Sequence, residues 1–196
     1  MTRGRMMLHI CCAPDATVPV RELGAEGWEV TGFFYGSNIH PGEEYRRRLD
    51  ALHVLRDHAS FPLIAAPYRP QDWFGRMRGL LEEPEGGARC TACFLLQLEA
   101  AAVAARMAGC GHLCSSLTIS PHKDVPRILR LGDEVCTRHG LRWDPRVWRK
   151  RDGFLRSLKL SGELGLYRQN YCGCLPSLSG RELSGEVEAA PLMKGA

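Results

Sequence analysis

MMLHICCAPDA, residues 6–16, decides how the rest of the chain is read. The first five residues are a short apolar run, and CAPD after them is turn-like, so MMLHI reads as a buried strand. Cys11 and Cys12 follow it side by side, and Asp15 stands three residues beyond Cys12. Outward from here the pattern alternates. Residues 17–27 are expected to be a first helix. WEVTGFFY (28–35), rich in β-branched and aromatic residues, is expected to be a second strand ending in the loop GSNIHPGEE. A helix over 43–58 carries Tyr45, Leu49, Leu52 and Leu55 on one face. FPLIAAPY (61–68) reads as a third strand, 71–81 as a helix, and EEPEGGAR as a break. A long helix opens at Cys90 and runs to about residue 108, with Leu96, Ala100, Val103 and Met107 as its buried stripe. HLCSSLTI (112–119) is a fourth strand leading into SPHKD, and a helix begins at Pro126, a residue favoured in a first turn. The C-terminal third is less regular, and 186–196 reads as a frayed tail.

Such alternation builds an α/β domain around a mainly parallel sheet, here one domain over 1–185. Ligands of these sheets gather outside the carboxyl ends of the strands. That brings Cys11, Cys12 and Asp15, then Asn38 and His40, then Ser120, His122 and Lys123 to one rim. Asn38, His40, Ser120, His122 and Lys123 are candidates there for ribose, phosphate or proton delivery, although either histidine could equally cap a helix.

The bulk composition narrows the class. A chain of 196 residues with 44% hydrophobic and 24% charged residues has the make-up of an ordinary globular domain. No apolar run comes near the ~20 residues that span a bilayer, and the N-terminus lacks the h-region and cleavage site of a signal peptide. A cytoplasmic protein without a membrane partner is the expectation. The net charge of +4 is unevenly spread. Residues 138–159 carry eight Lys/Arg against Asp144 and Asp152, with Trp143, Trp148 and Phe154 interleaved. Arg138, Arg142, Arg146, Arg149, Lys150 and Arg151 are therefore candidate RNA contacts, cations for phosphate and tryptophans for stacking. The plain alternative is a solvated face over buried tryptophans.

Nine cysteines are many for this length, and their spacing is not that of a disulfide scaffold. Cys90 and Cys93 form a Cys-x-x-Cys turn entering a helix, so two thiolates can reach one metal centre. The positive helix end and Arg89 are expected to lower their pKa values. This motif alone fits a thioredoxin-like site, half a zinc site or half a cluster site. With Cys11 and Cys12 it completes a four-thiolate set. Adjacent cysteines are awkward around a single zinc, whereas a cluster with several metal corners tolerates them. Asp15 adds a hard oxygen donor that suits a further iron. Cys172 and Cys174, in YCGCLP, are too close for an unstrained disulfide, so the pair suits electron relay; free thiols or a second metal half-site are the alternatives. Cys110, Cys114 and Cys136 read as core.

HICCAPDA, FFYGSNIHPGEEYRRRL, EPEGGARCTACFLLQLEAAA, LTISPHKD and LYRQNYCGC occur in this order, and together they resemble the QueH epoxyqueuosine reductases over about 7–178. The resemblance implies a Rossmann-like, three-layer fold of the HUP/PP-loop-related type. It implies reduction of the epoxide of epoxyqueuosine to the alkene in a tRNA anticodon loop, with an unidentified electron donor. It also implies a [4Fe–4S] cluster on Cys11, Cys12, Cys90 and Cys93, an additional iron ion at Asp15, and a redox-active pair at Cys172 and Cys174. Asp15 stands where many members carry cysteine, and Gly162 where SKEL would place a lysine. Tyr167, Arg168 and Gln169, just before the pair, are candidate contacts to the modified base. Two rivals remain at this point. An ATP-dependent PP-loop enzyme would need a glycine- and serine-rich loop where CCAPDA stands. A zinc-stabilised RNA-binding module would need no catalysis.

Overall fold

The pleat of one strand organises the molecule. In β1 (Gly4–Ile10), Met7 points to one side of the sheet, and Met6, Leu8 and Ile10 to the other. The computed structural model describes residues 3–183. Its strands are β1, β2 (Trp28–Phe34), β3 (Leu63–Ala65), β4 (His112–Ser115) and β5 (Arg142–Trp143). They form one wholly parallel sheet in the order β3-β2-β1-β4-β5. The expected α/β class is what the structure has.

Helices cover both faces, as a parallel sheet requires. On the side of Met6, Leu8 and Ile10 lie α1 (Ala13–Ala25), α2 (Gly42–Ala59) and α6 (Gly153–Glu163). On the side of Met7 lie α3 (Pro70–Arg76), α4 (Ala88–Met107) and α5 (Val125–His139). The last described element is α7 (Leu175–Leu183). The stretch expected to be irregular thus carries β5, α6 and α7, while the expected tail lies outside the described residues.

Several expectations move. The first helix starts at Ala13 rather than residue 17, because extended Cys12 caps it and Pro14 sits in its first turn. The third strand shrinks to three residues, and the 71–81 helix ends at Arg76. The fourth strand stops at Ser115, whose Oγ accepts from Leu117 N–H at 3.2 Å and starts a 3₁₀ turn, Ser116–Ile119. The stripe expected on α4 is wrong: Met107 is 84% exposed and Val103 48%. The buried face runs instead through Cys90, Cys93, Phe94, Gln97, Leu98, Ala101, Ala102 and Ala105. This helix is apolar on most sides, so periodicity could not choose the face; close packing of its alanines on β1 and α5 did. With an 18-residue window of mean hydropathy 1.3, α4 is also long and apolar enough to cross a bilayer, where no such run was expected. Arg89, Glu99 and Arg106 interrupt its sequence.

Candidate metal centre

β1 and β4 are neighbours in space but not in sequence, because the chain runs outward through β2 and β3 before returning. The loops leaving such a pair diverge and open a crevice. Cys11 stands at the end of β1 and Ser116 at the end of β4. Ser116 Oγ accepts from Cys11 N–H at 3.1 Å and lies 3.3 Å from Cys11 Sγ. The first turn of α1 brings Asp15 back, so that Asp15 Oδ2 is 3.4 Å from Cys11 Sγ. One donor atom from each of Cys11, Cys12 and Asp15 lies within 4.8 Å of the others. The neighbouring Cys12 thiol and burial hold the Cys11 thiol well above its ordinary pKa. Burial raises the Asp15 carboxyl as well, against the pull of both thiols, Arg168 and Lys123.

The Cys-x-x-Cys turn is built differently. Cys90 Sγ accepts from Gly86 N–H at 3.2 Å. Cys93 Sγ accepts from Trp73 Nε1–H and from Gln97 Nε2–H, each at 3.2 Å. The expected lowering of these thiols is overturned at Cys93, where burial pushes the pKa up to about 12 despite both donors. A partial positive charge at a helix end is outweighed where the sulfur is dry. Arg89 turns away from the sulfurs, donating to the carbonyl oxygens of Leu81, at 2.8 Å, and Glu83. It thereby pins the turn that delivers Gly86.

Cys172 and Cys174 are free thiols in this structure. Cys172 Sγ lies 3.0 Å from Lys123 Nζ, which in turn lies 3.3 Å from Glu85. Burial works against the Lys123 charge, but Cys172, Glu85 and Cys90 outweigh it and hold the ammonium above its ordinary range. Between the cysteines, Gly173 has φ +135, and a Cβ there would sit 3.1 Å from Arg48 Nη1. Arg48 is 2% exposed and clamps this loop, donating to the carbonyl oxygens of Cys172 at 2.9 Å and Tyr171 at 3.1 Å. Its charge is met by Glu44 at 2.7 Å, which also accepts from Tyr167 Oη–H at 2.7 Å.

Cys11, Cys90, Cys93, Cys172 and Cys174 line one cavity of about 1130 Å³, whereas Cys12 is buried next to Cys11 and does not line it. Of the other expected residues, Asp15, Asn38, Ser120, His122, Lys123, Arg168 and Gln169 line it too. His40 and Tyr167 do not. His40 is buried, with its ring 4.5 Å from Phe74, and its backbone N–H donates to Gly173 O at 2.8 Å. It supports the Cys-x-Cys loop rather than the rim. Tyr167 is engaged with Glu44 and lies under Arg47. Arg48, Trp73, Gln97 and Arg89 line the cavity without having been expected. Two of them had a local sign: Glu44 and Arg48 are one helical turn apart, and Gln97 is the polar break in an apolar stretch.

The basic run is not one surface. Arg138 pairs with Glu99, and Arg142 begins β5, which pairs with the start of β4. Arg146 is held between Asp144 at 2.9 Å and Glu26 at 2.7 Å. Arg138 and Arg142 lie toward the end of the sheet where strands begin, Arg146 follows the end of β5 with its carbonyl oxygen accepting from Thr118, and none of the three lines the cavity. Arg149 reaches the rim, donating to Ser120 O at 3.3 Å and Lys123 O at 3.4 Å. Lys150 and Arg151 beside it are exposed. The expected stacking tryptophans are not available: Trp148 is 3% exposed and donates to Ser115 O, and Trp143 packs over Gly132. Phe154 lines the cavity beneath Arg168.

The donor set suits an iron–sulfur group better than one zinc. Four thiolates on a zinc at ~2.3 Å crowd within about 4 Å of each other. Here the compact group holds Cys11, Cys12 and Asp15, and Cys90 and Cys93 stand apart from it among the described residues. Three N–H groups aimed at Cys90 and Cys93 call for anionic sulfur, since a thiol accepts weakly.

Fold and site define an α/β protein with a wholly parallel sheet and cysteines at its switch point. The fold is that of U34-tRNA thiolase NcsA from Methanococcus maripaludis, a structure described with its [4Fe-4S] cluster. The TM-score is 0.58 at 11% identity, over 95% of this chain and 66% of that one. A predicted subunit of tRNA methyltransferase from Methanocaldococcus jannaschii matches at a TM-score of 0.54 and 12% identity, over 80% of this chain and 75% of that one. The family model described as Epoxyqueuosine reductase QueH matches residues 6–180. Relatives of that name include one from Streptococcus pyogenes, 36% identical over 88% of this chain and 70% of its own. The Haemophilus influenzae relative is 38% identical over 89% and 71%, and that of Thermotoga maritima 32% identical over 89% and 91%. The chain belongs to the QueH epoxyqueuosine reductase family and is an oxidoreductase.

Proposed function

We propose that this protein reduces epoxyqueuosine to queuosine in the anticodon loop of tRNA, with a [4Fe–4S] cluster held by Cys11, Cys12, Cys90 and Cys93 and an additional iron at Asp15. The observation that carries the reading is the meeting of Cys11, Asp15, Cys90, Cys93, Cys172 and Cys174 around one cavity at the sheet's switch point, with Cys12 grouped behind Cys11 and Asp15. When bound, such a group supplies single electrons and a Lewis acid for the epoxide oxygen.

The chain's own residues do the rest. Lys123, Arg168 and Asn38 line the cavity and bind and orient a polar nucleoside. Lys123, buried against Cys172 and Glu85, is a fixed cation rather than a proton donor. Phe154 offers a flat apolar surface at the mouth, and Arg149, Lys150 and Arg151 offer charge for the phosphates beyond it. Cys172, the more exposed of its pair, faces an external electron donor, and Cys174 lies deeper. The Arg48 clamp keeps both on the cavity.

The test is anaerobic reconstitution with iron and sulfide, followed by assay on tRNA carrying epoxyqueuosine with metal analysis of the same sample. A brown protein that forms queuosine is expected. A colourless protein that binds zinc and leaves the epoxide intact under strictly anaerobic handling would sink the reading.

A further inference from the structure

Cys93 is the only cysteine sulfur, among the described residues, on which two side-chain N–H groups converge. Trp73 Nε1–H and Gln97 Nε2–H both point at its Sγ from 3.2 Å. Neither donor is there by accident of exposure. Trp73 is fully buried and Gln97 is 3% exposed. Gln97 could be satisfied by the Cys93 carbonyl one turn back, to which it also donates at 3.2 Å. Trp73 Nε1–H has no other acceptor among the described residues. A buried N–H facing only a neutral thiol is poorly met. The arrangement becomes favourable once the sulfur is anionic, as it is when ligating a metal.

The other sulfurs differ. Cys90 has one donor, the backbone N–H of Gly86. Cys11 faces a carboxylate and a hydroxyl, at 3.4 and 3.3 Å. Hydrogen bonds to thiolate ligands stabilise the more negative, reduced state of an iron–sulfur group and raise its potential. In this cavity that influence is concentrated at Cys93.

We propose that Trp73 and Gln97 are positioning residues that set the reduction potential of the iron–sulfur group through two N–H···S hydrogen bonds to Cys93, and that they do so without ligating it or touching substrate. The proposal rests on the assignment of Cys93 as a cluster ligand. Neither residue moves an electron or a proton; each adds more stabilisation to the reduced state than to the oxidised one.

The test measures the midpoint potential of the anaerobically reconstituted holoprotein by optical or EPR titration. The variants are Trp73→Phe, Gln97→Leu and the double variant, with iron and sulfide determined per chain. Each single variant is expected to keep its iron and to reduce less readily, by roughly tenfold in the reduced-to-oxidised ratio at a fixed potential, ~59 mV for one electron. The double variant should shift further. Because Trp73 is a large core residue, its replacement by 3-benzothienylalanine, which keeps the ring shape and lacks the N–H, separates the hydrogen bond from packing. The wild-type holoprotein gives a readout without any substitution: Fe–S stretching bands should move on transfer to D₂O. Full iron content with an unmoved potential in Gln97→Leu and in the benzothienyl variant would overturn the proposal, as would Fe–S bands that do not respond to D₂O. A wild-type protein that assembles no cluster defeats the ligand assignment instead, which the iron and sulfide analysis distinguishes.

Discussion

The two halves of the candidate centre are both pairs of cysteines, and their surroundings are opposite. Cys11 and Cys12 end a strand, with a carboxylate and a hydroxyl on the sulfur of Cys11. Cys90 and Cys93 begin a helix, with N–H donors on their sulfurs and an apolar wall behind them. One half offers a hard oxygen donor and an open edge; the other offers a dry, donor-rich seat. The difference teaches that two cysteine pairs at one site need not be alike. In the proposed assignment, the seat would hold the cluster while the strand end leaves room for a second metal and a reacting oxygen.

Removal of either half tests the contrast most severely. Cys93→Ala and Cys12→Ala should each abolish the visible absorbance and reduce queuosine formation below detection, read by spectrum and by nucleoside analysis. If Cys12→Ala retained a full cluster, the two halves would not be one set. Asp15→Asn asks a finer question. It should keep the cluster's absorbance but weaken the additional iron, by about 10–100-fold in affinity, measured as loss of the iron in excess of the cluster on dialysis.

The third pair sharpens the comparison, because its geometry depends on a buried ion pair and not on a metal. Arg48→Met leaves Glu44 buried without its partner and frees the Cys172 and Tyr171 carbonyls. A loss of ~3–5 kcal/mol is expected, by the usual cost of breaking a buried pair, read as a lower denaturation midpoint. The same loop should respond to acid. Burial holds His40 down to about 4 from its ordinary 6.5, and its Nδ1 accepts from Leu175 N–H at 3.3 Å. A lowered pKa means that the unfolded chain binds the proton more readily. The contribution is therefore complete above pH 6.5 and is lost as pH falls toward 4. Hydrogen exchange around 171–176 should accelerate over that window, and the pH effect should vanish in His40→Asn. The smallest effect concerns the basic run. Arg149→Ala should lower the salt slope of tRNA binding by about one, whereas Arg138→Ala, paired to Glu99 at the far end, should leave it unchanged.

Local chemistry made much of this legible. The alternation of short apolar strands with helical periodicity implied a parallel α/β sheet, because pleat and helical turn repeat within a few residues. That class then brought the loops after strands one, two and four to one rim. The readings that failed were those needing a neighbour. α4 is apolar nearly all round, so its buried face was chosen by the sheet and α5. Trp148 and Trp143 looked like stacking platforms until packing engaged both, Trp148 buried with its N–H on Ser115 O and Trp143 half-buried over Gly132. The helix end was expected to acidify Cys93, and burial did the reverse.

The sequence by itself determined the sheet, the three cysteine pairs and the order in which they arrive, since each is written in a few adjacent residues. The tertiary structure alone decided what surrounds each sulfur. Trp73 reaches Cys93 across twenty residues, Ser116 reaches Cys11 across 105, and Arg48 reaches the carbonyl of Cys172 across 124. Hydrogen bonds and desolvation act over a few ångströms, whatever the distance along the chain, so only the folded arrangement could set one pair beside an acid and seat another among N–H donors.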